Sequence, residues 1–288
     1  MKFGAQSEVL PLKSVLLRRP DQLMRQASET WQALHWGACP DLSAAMAEYD
    51  QFVDLIARSG TEIYFAEDDD SISMDAIYVR DASLMTDAGA VICRMGKGAR
   101  DPEPANHRLW YEKRGIPVAG EITGNGMIEG GDVIWLDQRT MGVAEGYRSN
   151  AEGIRQLREI LADHVDEIIP VPLPHWNGPD DILHLMSFIS PVDHDLALVW
   201  SRQMSVPFRQ LLLDRGITLI EVPDDEYDTM ACNVLALAPR HCLMIDGNPE
   251  TRRRLEAAGC QVDVYKGAEI SAKGFGGPTC LTRPLLRA

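Results

Sequence analysis

Five reactive residues, Asp81, Asp132, His184, Asn233 and Cys280, recur along this 288-residue chain at gaps of 51, 52, 49 and 47 positions. Each stands beside or at the start of an apolar run. A period of this length marks a unit that cannot bury its own face and must stack on its neighbours. Unlike reactive residues at equivalent places in similar units imply a ring, with each unit delivering one group to a shared centre.

Each unit reads as strand, short polar turn, strand, then helix. Residues 77–85 and 90–94 flank Thr86-Asp87-Ala88-Gly89, and residues 133–136 and 141–144 flank Asp137-Gln138-Arg139. Residues 183–189 and 196–200 flank a Pro191–Asp195 turn, and residues 234–237 and 242–245 flank Pro239-Arg240-His241. Short apolar runs split by Gly, Asp or Pro turns predict hairpins. Asn150 is placed to cap a helix running to about His164, and Asn248-Pro249 to start another that Gly259 ends, before a strand over 261–265. Residues 44–58 carry Ala45, Tyr49, Phe52, Val53 and Ile56 on one stripe, followed by Gly60 and a strand over 61–66. A fifth unit is incomplete: Cys280-Leu281-Thr282 reads as a strand start, and residues 14–18 read as its missing partner. Pairing the two would close the ring.

No composition break or linker divides the chain, so a single domain, residues 1–288, is expected. No apolar stretch is long enough to span a membrane, and the first residues hold no signal-peptide core. Six cysteines without CxxC or metal-ligand spacing point to reduced thiols and the cytoplasm. A net charge of −15 argues against nucleic acid and is compatible with a cationic small substrate.

Cys280 follows Gly274-Phe275-Gly276-Gly277-Pro278-Thr279. Glycines admit close backbone approach, and a thiol after such a turn faces a pocket, where a nearby cation or histidine would make it a nucleophile. A structural cysteine fits the same turn equally well. His184 suits acid–base chemistry; standing alone, it reads more simply as a hydrogen-bonded core histidine. Glu129-Gly130-Gly131-Asp132 and the pair Asp75 and Asp81 supply carboxylates that need a cation if buried. A planar guanidinium offers paired N–H donors to such acids. Each acid alone reads as a turn or cap residue; the set, one or two per unit, carries more weight. Phosphate- and dinucleotide-binding motifs are missing from strand–helix contexts.

At these residues the chain resembles the guanidino-group modifying enzymes: arginine deiminase, dimethylarginine dimethylaminohydrolase and the amidinotransferases. The resemblance runs from Ser7-Glu8-Val9-Leu10 through Arg80-Asp81, Glu129-Gly130-Gly131-Asp132, Arg148-Ser149-Asn150 and His184-Leu185 to Cys280-Leu281-Thr282-Arg283-Pro284. It implies an α/β fold, the five-bladed propeller of ββαβ-type units called a pentein. It implies that Cys280 attacks the guanidinium carbon, that His184 protonates the departing amine and then activates water, and that Glu129 orients His184 and binds the guanidinium. Asp81 would hold the guanidinium nitrogens with Asp75 near it, Asp132 would support the Gly-Gly turn, and Arg100 and Arg148 would bind a substrate α-carboxylate. The implied activity is hydrolysis of a free arginine-like amino acid to citrulline, a methylated arginine slightly ahead of arginine. Amidino transfer, arginine dihydrolysis and a non-catalytic propeller are the alternatives. No metal or cofactor is called for, and a homodimer is compatible with the sequence. Met186 stands where deiminases carry Asp, Arg80 where some dimethylaminohydrolases carry an acid, and Pro278-Thr279 where a His before the Cys is common. Residues 19–24 are expected to cover the ring's mouth.

Overall fold

The computed structural model describes residues 1–67, 69–179, 181 and 183–288; Ile182, in the segment that carries His184, lies outside the described residues. Within them, five three-stranded sheets form. β1 (Leu12–Leu17) pairs in parallel with β2 (Glu62–Phe65). The next blade holds β3 (Ser83–Thr86), β4 (Gly89–Ile92) and β5 (Val118–Glu121). β6 (Val133–Asp137), β7 (Thr140–Glu145) and β8 (Glu167–Pro172) form the third. The fourth has β9 (Ile189–Asp193), β10 (Leu196–Val199) and β11 (Thr218–Glu221). The fifth has β12 (Leu235–Ala238), β13 (His241–Ile245) and β14 (Gln261–Tyr265). In these four blades an antiparallel hairpin is followed by a parallel strand reached through a helix-containing crossover.

The first blade lacks a hairpin strand of its own, and β15 (Arg283–Arg287) supplies it, antiparallel to β1 with Leu16 opposite Arg283 and Leu12 opposite Arg287. The ring closes by the pairing expected from the sequence, and the molecule is a five-bladed α/β propeller. All four residues of the middle strands β4 and β10 are buried, which is why they read as continuous apolar runs. Helices pack outside. Asp41 caps Leu42–Arg58 by accepting from Ala44 N, and its Ala45, Tyr49, Phe52 and Ile56 are fully buried, Phe52 lying 5.0 Å from the Tyr265 ring of β14. Burying Phe52 or Ile56 is worth about 1.5–3 kcal/mol each. Asn150 caps Ala151–Ile160 through Gly153 N, as its type predicts, though the helix ends short of His164. No helix among the described residues is long and apolar enough to cross a membrane.

Three expectations are corrected, all beside the ring's centre. Residues 77–85 are not one strand: Met74–Ile77 is a 3-10 turn started by Ser73, and only Ser83–Thr86 pairs. The strand expected from Leu183 begins at Ile189, because Leu185–Ser187 forms another 3-10 turn, with Ser187 Oγ accepting from His184 N at 3.0 Å and Asp132 Oδ1 from Leu185 N at 3.1 Å. Cys280 lies in a turn, three residues before β15. In each case side chains and tight turns satisfy the backbone where a ladder was expected. Of residues 19–24, Arg19 bonds Asp50 at 2.8 Å and lies over the Tyr49 and Phe65 rings, while Met24 is buried in the cluster that holds Trp36, Met74 and Tyr78.

Candidate active site

The turns just described face one another. Asp75, Asp81, Arg100, Arg148, His184 and Cys280 line one cleft, with Glu129 directly behind His184. Asp132 lies one step further out. Its Oδ2 accepts from Ser149 Oγ at 2.6 Å and its Oδ1 from Leu185 N, so it braces the turns that carry Glu129 and His184. The cleft has an accessible volume of about 30 Å³, about that of one water molecule. A larger cavity of about 530 Å³, beside Glu8, Trp135 and Arg139, contains no thiol.

His184 is 4 % exposed. Its Nε2 lies 2.7 Å from Glu129 Oε2, and its Nδ1 is 4.0 Å from Asp81 Oδ1. Gly131 makes this approach possible: a Cβ there would sit 2.5 Å from His184 Nδ1 and 2.9 Å from Asp81 Oδ1. Burial alone would depress the imidazole, but Asp132, Asp81 and Glu129 outweigh it and raise its pKa to about 9. At neutral pH His184 is therefore an imidazolium. Burial opposes charge on Glu129 too, yet Arg148 and His184 hold it ionised, well below the usual carboxylate range. Its Oε1 accepts from Arg148 Nε at 3.1 Å and from Gly96 N at 2.8 Å, so both its oxygens are engaged. Burial pushes Asp132 up to about 6, with the neighbouring His184 charge opposing the rise.

Cys280 is half-buried. Burial and the charge of Asp81 raise its thiol, while the amide of Asn233, 3.3 Å from Sγ, lowers it. Asn233 was visible in the 50-residue period, but its role was not. Its Oδ1 accepts from Thr279 N at 3.0 Å and Thr279 Oγ1 at 2.8 Å, tying the turn that carries Cys280 to the fifth blade. The glycines before Cys280 are needed for contact: a Cβ on Gly276 would lie 2.3 Å from the Tyr78 ring.

The two arginines differ. Arg100 donates to Asp81 Oδ2 at 2.5 Å, to both oxygens of Glu103 and to Tyr78 O. Arg148 uses Nε on Glu129, and its terminal nitrogens have no partner among the described residues. Asp75 accepts from Trp36 Nε1 at 2.7 Å and from Lys97 Nζ at 2.6 Å. Sequence reasoning missed Lys97 and Trp36, whose only signal is three-dimensional. Asp81, Glu129 and His184 each bring one donor atom within 4.8 Å of the others.

A family model described as N,N dimethylarginine dimethylhydrolase, eukaryotic, matches residues 39–287. The N(G),N(G)-dimethylarginine dimethylaminohydrolase of Pseudomonas aeruginosa is 25% identical over 270 residues, covering 94% of this chain and 98% of that protein. An arginine deiminase of Rhodococcus erythropolis is 22% identical, covering 99% and 97%. The solved structure of the Pseudomonas aeruginosa enzyme, a cysteine-to-serine variant complexed with citrulline, superposes with a TM-score of 0.78 at 23% identity, covering 95% of this chain and 99% of that one. That likeness carries the fold. The family match runs from just before the helix Leu42–Arg58 into the closing strand β15, across all five blades, and the chain belongs to the N,N dimethylarginine dimethylhydrolase family, C–N hydrolases acting on amidines.

Proposed function

We propose that this hydrolase cleaves the guanidino C–N bond of a free arginine-like amino acid, a methylated arginine ahead of arginine, through a covalent intermediate on Cys280. One observation carries the reading: a buried His184 held by Glu129 at 2.7 Å shares a cleft with the Cys280 thiol and the Asp81 carboxylate. A guanidinium bound at Asp81 puts a positive charge beside a thiol that burial keeps neutral, favouring release of the thiol proton to solvent and the thiolate when substrate is present. Sγ then attacks the guanidinium carbon. His184 gives its proton to the departing nitrogen, and the C–N electron pair leaves with that nitrogen. The neutral imidazole next takes a proton from water, whose oxygen adds to the thiouronium carbon; breakdown returns the thiolate and a ureido product.

Glu129 keeps His184 oriented and charged, a positioning role supported by both its oxygens being engaged. We assign the substrate carboxylate to Arg148, with unused donors, rather than to Arg100, which holds Asp81 and Glu103.

The test is mass-spectrometric product analysis with arginine, Nω-methylarginine and Nω,Nω-dimethylarginine, with Cys280→Ser alongside. Citrulline from the methylated substrates, a mass adduct on Cys280 and loss of both in the variant are expected. Citrulline from arginine alone overturns the substrate preference; ornithine or a transferred amidino group overturns citrulline formation; undiminished turnover by the variant overturns covalent catalysis.

A further inference from the structure

The closing strand β15 carries two arginines into the core of the ring, Arg283 and Arg287, each 5 % exposed. Arg80, 2 % exposed, comes within electrostatic reach of both from the turn that also carries Asp81. Among the described residues, Glu8 is the one carboxylate that pairs with any of the three: both its oxygens accept from Arg80 Nη2 at 2.9 Å. The acids nearer the cleft, Asp81 and Glu129, are held by Arg100, Arg148 and His184. Burial, together with repulsion from Arg80, lowers Arg283 to about 10. Burial also lowers Arg287 to about 10, with Glu8 opposing the fall and Arg80 and Arg283 adding to it. All three guanidiniums are cationic at neutral pH, and one carboxylate faces them.

Their hydrogen bonding is incomplete as well. Arg283 Nη2 donates to Arg80 O at 2.7 Å, and Arg287 donates to Leu10 O at 2.6 Å and to Ala236 O at 2.8 Å. Four further donors, Arg80 Nε and Nη1, Arg283 Nε and Arg287 Nε, are buried and have no partner among the described residues. A buried donor left unpaired carries its full desolvation penalty, and more so when charged. An uncompensated buried charge is strongly destabilising. Beside these donors lies a cavity of about 10 Å³, lined by Glu8, which takes Arg80, and by Ala236, whose carbonyl takes Arg287. Its volume is about that of one water-sized sphere. It shares Met186 with the catalytic cleft, and Glu8 and Pro191 with the cavity of about 530 Å³.

We propose that the core of the ring holds a small monovalent anion of halide size, bound by Arg80, Arg283 and Arg287 and reached from the large cavity past Glu8. Glu8 occupies only Nη2 of Arg80, which leaves Nε and Nη1 for the anion. A water in the same place would satisfy donors and leave the charge uncompensated, and the space excludes sulfate and organic acids. The site stands whatever guanidine the cleft takes. It adjoins the turns of that cleft: Arg80 N donates to Cys280 O at 3.1 Å, and a Cβ on Gly130 would lie 2.7 Å from Arg283 Nη2. The anion thereby steadies the turns that carry Asp81, Glu129 and Cys280.

The test is thermal unfolding of the full chain, dialysed into sodium gluconate and then titrated with sodium chloride at constant ionic strength. The melting temperature should rise saturably with chloride, by about 5–10 °C at a hundredfold excess over the dissociation constant. Arg287→Met removes a donor and a charge, so it should raise the half-saturating chloride concentration about tenfold or more. Glu8→Gln removes the carboxylate that competes for Arg80 and should lower that concentration. Crystals soaked in sodium bromide should show an anomalous peak among Arg80, Arg283 and Arg287. If Arg287→Met fails to fold, Glu8→Gln and the bromide soak decide the matter. Equal melting in the two salts, a chloride response unchanged in Glu8→Gln, or water alone among the three arginines in bromide-soaked crystals overturns the proposal.

Discussion

Glu129→Gln removes a charge from behind His184 while keeping the shape and hydrogen-bonding reach of the side chain. The imidazole of His184 titrates at about 9 in the folded protein, against 6.5 ordinarily, despite burial that alone would lower it. That difference favours the folded state by about 3 kcal/mol. Because the folded pKa is the higher one, the stabilisation is fully present below pH 6.5 and is lost as pH rises through 9. A hydrogen bond to a charged partner contributes roughly 1.5–3 kcal/mol. Losing that charge should bring His184 down from about 9 to between roughly 7 and 8. Glu129 itself is held ionised throughout this window, so its own titration does not interfere. Two assays read the change. Histidine carbon–proton NMR titration follows the ring directly, and urea unfolding at pH 6 and 9.5 should show a smaller pH-dependent loss of stability in the variant. The alkaline limb of kcat should move down with the ring. A wild-type His184 titrating near 6.5, or identical pH dependence in the two proteins, refutes the account of a buried imidazolium held by carboxylates.

Asn233→Ala takes the amide from Cys280 Sγ and frees Thr279. The thiol should titrate still higher, and iodoacetamide alkylation at pH 8 should slow about tenfold or more, as expected for a lost hydrogen bond to a thiolate; an unchanged rate would remove Asn233 from this role. Gly131→Ala puts a methyl 2.5 Å from His184 Nδ1. It should cut kcat by about a hundredfold, the effect of an ångström-scale displacement; near-normal kcat would show that the ring has room to move. Arg100→Met strips the cation from buried Asp81 and Glu103. It should cost about 3–5 kcal/mol in urea unfolding, and a cost under 1 kcal/mol would mean that the acids are not ionised against it.

The ring was legible because its evidence is periodic. Hairpins such as Val133–Asp137 with Thr140–Glu145 carry alternating and apolar signals within a dozen residues, and the pairing of β1 with β15 followed from counting units. The cleft was legible as a set of residue types, since Asp81, Asp132, His184, Asn233 and Cys280 recur at one place in each unit, with Glu129 three residues before Asp132. The local conformation around them was not. Met74–Ile77 and Leu185–Ser187 have the composition of strands, and tertiary partners such as Asp132 bend them into turns. The partners of Asp75 come from Trp36 and Lys97, which no spacing rule connects to it. The positive φ angles at Trp176, Met230 and Phe275 left no trace in the sequence, because these residue types do not announce positive φ.

The closing strand β15 begins three residues after Cys280 and pairs with the first strand of the ring. Cys280 itself contacts the first half of the chain through Arg80 N, which donates to its carbonyl at 3.1 Å, and the second half through Asn233. Cys280 therefore sits on the seam. The turn that carries Cys280 follows every strand of blades two to five in the sequence, after Asp81, Glu129 and His184, and leads directly into the closing strand. On the covalent reading proposed above, the contacts that hold the thiol opposite those residues lie on the same seam that closes the ring, so opening the ring there would displace both together.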